Sequence, residues 1–221
     1  SRTFGRVEGM SYAGHPLLSG PMELCFSRAP IANDRRQREI WDKFLVSTVQ
    51  GGLLSLDAAD EDGAASVIMQ KYYAPFSLNW RIDVSVRLTL DASGTLTVSV
   101  SGTPAGALPP TLTRIGLYTR LPAALDTVRC YRRGPAENYR DFKAGTIVGL
   151  YEAKADGMSF PYVVPQESGN RSDVRYAAFF GGGFGLRVDT DRALNFSVSR
   201  HSLDALMRAR HQDELPPDEG Y

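Results

Sequence analysis

The sequence predicts a mostly β fold of antiparallel sheets carrying one or two short helices, and three observations point there. From Arg81 to Leu90 apolar and polar residues alternate without a break, the period of a half-buried strand. Asp91-Ala92-Ser93-Gly94 then supplies turn residues, and residues 95–100 alternate again, completing a hairpin. Similar strand-like runs recur along the chain, separated by glycine and proline clusters, notably at 103–110 and 181–183. In such antiparallel sheets one face packs on a core and the other meets water.

Taken in order, strands are expected at residues 53–56, 66–73, 81–90, 95–100, 114–120, 127–132, 174–180, 185–188 and 194–198. Two stretches read as helices. Residues 33–44 mix charges with Ile40, Trp41 and Phe44. Residues 202–210 are clearer: Ser202 is a candidate N-cap, and Leu203, Leu206 and Met207 share one face. Asp204 near the start of that helix and Arg208 and Arg210 near its end complement the helix dipole. Gly181-Gly182-Gly183-Phe184-Gly185 reads as a hairpin turn. A nucleotide loop would need a helix after the glycines, and here strands flank them on both sides.

At 221 residues the chain suits one large all-β domain or at most two small ones. A chain of this length buries roughly 70% of its unfolded surface, so it needs no staples. With 25 basic and 25 acidic residues the formal net charge is zero, which argues against a nucleic-acid binder. Arg35-Arg36-Gln37-Arg38 reads as a solvated helix face. Cys25 and Cys130 are too few and too far apart for a disulfide scaffold, and two buried free thiols in a reducing compartment are expected, with a single bridge the alternative. No apolar run approaches the ~18 residues of a membrane span, and no signal peptide is visible. The chain begins at Ser1 without methionine and ends at Tyr221 after Pro216-Pro217-Asp218-Glu219-Gly220, which reads as a piece of something longer.

Candidate functional groups sit on loops between strands, where a rigid sheet usually places recognition groups. The richest are Gly134-Pro135-Ala136-Glu137-Asn138-Tyr139-Arg140-Asp141 and Pro165-Gln166-Glu167-Ser168-Gly169-Asn170-Arg171. Glu137, Asp141 and Glu167 invite comparison with the two carboxylates of a glycosidase. The plainer reading is that they hold loops by bonding Arg133, Arg171 or backbone N–H groups. His15, His201 and His211 show no metal spacing, and no Gly-x-Ser-x-Gly elbow marks a nucleophile. His211 follows a helix end and reads as a capping group, with sugar contact the lesser option. Tyr139, Tyr162 and Trp80 are aromatics able to stack on a sugar ring, though such residues more often belong to the core.

Four ordered motifs extend this reading. Phe26-Ser27-Arg28-Ala29-Pro30-Ile31-Ala32-Asn33-Asp34 resembles the Phe-Trp-Arg-Ala-Pro-Thr-Asp-Asn-Asp signature that opens the last domain of bacterial β-galactosidases of glycoside hydrolase family 2. Arg133 to Asp141 is similar to that domain's Gly-Pro-x-Glu-Asn-Tyr-Pro-Asp-Arg signature, and Tyr162 to Arg171 to its Pro-Tyr-Val-x-Pro-Gln-Glu-Asn-Gly-Asn-Arg segment. Phe196-Ser197-Val198-Ser199-Arg200-His201-Ser202 through Leu206 and His211 matches a strand-then-helix stretch near the domain's end. Ser27, Arg140 and Ser168 depart from the family's usual Trp, Pro and Asn.

The resemblance implies a galactose-mutarotase-like supersandwich: a single β-galactosidase small-chain-like domain over residues 1–221, truncated at its C-terminus before the family's Gly-Gly-Asp-Asp-x-Trp segment. It further implies a non-catalytic C-terminal domain that completes the substrate cleft and supports assembly of a retaining enzyme acting on terminal β-D-galactosides. No catalytic residue is expected here, because the family's glutamates lie on an upstream TIM barrel. Glu137, Asn138, Tyr139, Asp141, Glu167, Arg171 and His211 are the candidates for carbohydrate binding or domain contact. No cofactor or metal is expected in this segment, with any magnesium or sodium of the whole enzyme held elsewhere. The expected partners are the barrel and other domains, the β-galactoside and further copies in a homo-oligomer, without nucleic acid or membrane, in the cytoplasm. The alternatives are a stand-alone carbohydrate-binding module and an aldose mutarotase pairing His211 with Glu137 or Glu167.

Overall fold

A computed structural model describes residues 3–61 and 63–216, so the final run from Pro217 to Tyr221 lies outside the described residues. The chain is mostly β, and its sheets are antiparallel. In chain order the elements are β1 (Ser11–Tyr12), β2 (His15–Pro16), β3 (Glu23–Cys25), α1 (Arg35–Lys43), β4 (Gln50–Glu61), β5 (Ala64–Ala74) and β6 (Arg81–Leu90). There follow β7 (Leu96–Ala105), β8 (Gly116–Tyr118), β9 (Thr127–Gly134), β10 (Ile147–Lys154), β11 (Arg171–Gly181), β12 (Phe184–Phe196) and α2 (Leu203–Arg208). They group into two compact units: Ser1–Glu8, Met22–Arg28 and Asn33–Tyr118 form one, and Gly9–Pro21, Ala29–Ala32 and Thr119–Tyr221 the other.

In the first unit β4-β5-β6-β7 form a four-stranded meander, with β3 and β8 paired beside it in a sheet of their own. The alternation that marked β6 becomes burial of Ile82, Val84 and Val86 on one face. Those residues join Phe26, Val46, Met69, Tyr73 and Trp80 in one core. Trp80 is 1% exposed, and its indole N–H donates to the Phe44 carbonyl at 3.0 Å, as a buried indole requires. The helix α1 turns its arginines to water and packs Trp41, with Phe44 just beyond its end, against the same core. Its start is fixed by Arg28, which grips Asp34 with two bonds of 2.7 and 2.9 Å. The motif 26–34 thus spends its charges on each other. The second half of the hairpin departs from expectation: β7 is an edge strand, exposed along most of its length on both faces.

In the second unit the sheet order is β10-β9-β11-β12. Alternation along β9 buries Val128, Cys130 and Arg132 in turn. Val128 and Cys130 pack with Ala155, Met158, Val174, Ala177 and Val198. The strand β10 was not anticipated, and the two expected strands at 185–188 and 194–198 are one 13-residue strand, β12. Gly182 and Gly183 have φ of 61° and 87°, two successive left-handed residues, as a tight two-residue hairpin requires. The glycine cluster is therefore a turn between β11 and β12. Ser202 caps α2 as expected, accepting the Ala205 N–H at 3.2 Å. Both cysteines are free thiols. Cys130 is buried, but Cys25, at the end of β3, is only half-buried.

Candidate functional site

The two signature loops follow β9 and precede β11, two strands that lie side by side in the sheet. The first opens with a cis Gly134–Pro135 peptide. Beneath it, Arg132 donates to the carbonyls of Arg133 at 2.6 Å and Pro135 at 3.2 Å, and stands 4.8 Å from the Tyr151 ring centre. An arginine on the inward face of a strand is here a brace for the loop that follows.

Asn138 ties the loops together. It is fully buried, donates its side-chain amide to the Arg133 and Ala136 carbonyls, and accepts the Ser172 N–H at 2.9 Å. Its backbone N–H donates to the Asn170 carbonyl at 2.9 Å, and its own carbonyl accepts the Asn170 amide at 2.6 Å. Glu137 bridges the same loops with both oxygens. One accepts the Tyr162 hydroxyl at 2.9 Å, the other the Gly169 N–H at 2.6 Å. Gly169 must be glycine for two reasons: its φ is +73°, and a Cβ there would lie 2.2 Å from the Met158 carbonyl oxygen.

Tyr139, Glu167 and Arg171 complete the cluster. Burial, then the nearby charge of Glu137, pushes the Tyr139 phenol up to about 12. Arg171 is 5% exposed, and burial followed by the neighbouring charge of Arg132 lowers its pKa, with Glu137 opposing. Its Nε has no hydrogen-bond partner. Glu167 is buried and accepts the Ser197 hydroxyl at 3.4 Å. Asp141 and His211 stand apart from this network and are exposed. His211 precedes the single turn Gln212–Glu214, whose Gln212 side chain donates to the Tyr162 carbonyl. Trp80 belongs to the other unit's core.

Reasoning from sequence missed Arg132, Asp173 and Ser172. Asp173 takes up a left-handed φ of 54° and accepts Arg133 at 2.5 Å and Lys143 at 3.4 Å. Arg133 in turn donates to the Thr146 carbonyl at 2.8 Å, closing the 135–146 loop. An arginine at an inward position of an alternating strand was the available signal for Arg132. Among the described residues no group of three or more His, Cys, Asp or Glu is placed to hold a metal ion. No helix of the described residues is long and apolar enough to cross a membrane.

Chemically, the arrangement is a set of polar groups spent on holding two loops in register. It sits in an antiparallel β protein in which Glu137 and Asn138 tie one signature loop to the other. The family model of the beta galactosidase small chain matches residues 1–221, and the chain belongs to that family. It is 27% identical over 222 residues to a beta-galactosidase of Halalkalibacterium halodurans, covering 98% of this chain and 22% of that protein. It is 31% identical over 227 residues to one from Vibrio cholerae, covering 97% of this chain and 21% of the relative. A beta-galactosidase of Lactobacillus delbrueckii subsp. bulgaricus is 31% identical over 221 residues, with 96% and 21% covered. The chain therefore spans about a fifth of the length of these relatives.

Proposed function

We propose that this chain is the non-catalytic C-terminal portion of a family 2 β-galactosidase. It completes the substrate cleft and supports assembly, while hydrolysis of terminal β-D-galactosides belongs to the whole enzyme. The observation that carries the reading is the match to the small-chain family along the entire chain, set against about a fifth of each relative. The loop geometry supports it. A retaining glycosidase needs one carboxyl as acid and a second as nucleophile across the scissile bond, whereas both oxygens of Glu137 are engaged by Tyr162 and Gly169 of its own fold. On this reading the segment holds no cofactor, and the homo-oligomeric, cytoplasmic parent keeps any magnesium or sodium in other domains.

The test is an assay with a chromogenic β-galactoside. The isolated chain is expected to give no turnover, and co-expression with the remaining polypeptide of its enzyme is expected to restore activity that neither part has alone. Turnover by the isolated chain, or full activity of the remainder without it, overturns the reading.

A further inference from the structure

The loops around Glu137 have an inverted polarity. Asn138, Glu167 and Arg171 are buried, while Phe160, Val163 and Val164 beside them are 57%, 82% and 55% exposed. Phe142, paired through its backbone with Tyr139, is 69% exposed. No charged residue occurs from Gly157 through Gln166. The outward placement is enforced. The Phe160 N–H donates to the Ser168 hydroxyl at 3.1 Å, the Tyr162 hydroxyl is held by Glu137, and Gln212 holds the Tyr162 carbonyl. The Phe160 and Tyr162 rings rest 4.7 Å apart. An exposed apolar segment whose backbone and rings are fixed by internal hydrogen bonds is preorganised for association, because little chain entropy remains to be lost. Exposed apolar surface of this kind marks a contact.

We infer that the segment from Phe160 to Val164 is the face on which the rest of a β-galactosidase polypeptide docks. This rests on the function proposed above. Two features select that occupant. The absence of charge across ten residues fits an equally apolar protein surface and does not fit nucleic acid or an acidic peptide. Pro161 and Pro165 lack the N–H groups that strand addition would use, so the contact is made by side chains. The remaining four-fifths of each relative supplies the polypeptide that such a surface would meet.

The experiment co-expresses the chain with the remaining polypeptide of its enzyme and measures their association, alongside the melting temperature of each isolated chain. Val163→Asp is expected to weaken association at least tenfold without moving the chain's own melting temperature, since the side chain is already in water. Val163→Ile is expected to associate normally. Unchanged association by both Val163→Asp and Phe160→Ser overturns the docking face while leaving the proposed function standing. So does a Val163→Asp effect confined to splitting dimers of this chain. Failure of the unmodified chain to associate refutes the proposed function, and the docking face with it.

Discussion

Asn138 shows what single residues do in this protein. Its side-chain amide and backbone groups reach Arg133, Ala136, Asn170 and Ser172 from a position with no exposure. Removing the amide leaves buried donors and acceptors without partners, and each such group costs about 1–3 kcal/mol. Asn138→Ala is therefore expected to lower unfolding free energy by about 3 kcal/mol in urea titration, whereas the exposed Asp141→Ala stays within about 0.5 kcal/mol. Equal effects would show that the loops do not depend on this clamp. The sequence marked both residues as candidates in one motif and did not separate them. Two of the partners of Asn138, Asn170 and Ser172, lie more than thirty positions away, and the β9–β11 pairing brings them close.

At the scale of elements, the irregular start of β11 is the most telling. Its register with β12 shifts twice between Arg171 and Tyr176, and Asp173 occupies a left-handed conformation that Asp tolerates better than most residues. The Arg133 guanidinium, with Lys143 second to it, holds the Asp173 carboxyl below its ordinary value of 3.8. The folded state then binds fewer protons at this site than the unfolded state. The stabilisation is complete above 3.8 and disappears as pH falls below it and through the lower folded value. Asp173→Asn keeps the backbone preference and removes the charge. Its melting temperature is expected to lie below that of the unsubstituted chain at pH 7, with the gap closing below pH 3.8. A gap that does not change with pH would assign the effect to the backbone.

Elements with a strong local pattern were legible in the sequence. The alternation of β6, the cap and charges of α2 and the glycine turn after β11 each rest on residues within one element or its immediate neighbours. β10 escaped because its residues, Ile147-Val148-Gly149-Leu150-Tyr151-Glu152-Ala153-Lys154, do not alternate apolar with polar, although their burial alternates from Gly149 to Lys154. β12 was split in two because Asp189, Asp191 and Arg192 interrupt its apolar residues. The network that orients the signature loops depends on Arg132 and Asp173, whose roles follow from tertiary placement alone.

For the molecule as a whole, each unit has its own four-stranded sheet and its own core. Both tryptophans, Trp41 and Trp80, lie in the first unit, while the buried thiol Cys130 lies in the second. Fluorescence and thiol protection therefore report the two units separately. Met69→Ala removes a side chain buried in the first core, a change that costs about 2–5 kcal/mol. In a Cys25→Ser background it is expected to lower the denaturant midpoint seen by fluorescence more than the midpoint for alkylation of Cys130. Equal shifts would mean that the two units unfold as one.

The outer strand β12 carries a consequence for how this chain behaves in concentrated solution. It has one neighbour among the described strands, β11, so one side of a 13-residue backbone offers its N–H and C=O groups outward. Such a rim is a template for edge-to-edge growth. Here its middle is studded with Arg187, Asp189, Asp191 and Arg192, and Arg187 is locked to Asp189 at 2.6 Å. A stray strand laid along that rim must strip water from four charges for each stretch of ladder it gains. Three of these residues, Asp189, Asp191 and Arg192, hid the strand from the sequence pattern and also discourage it from seeding aggregates.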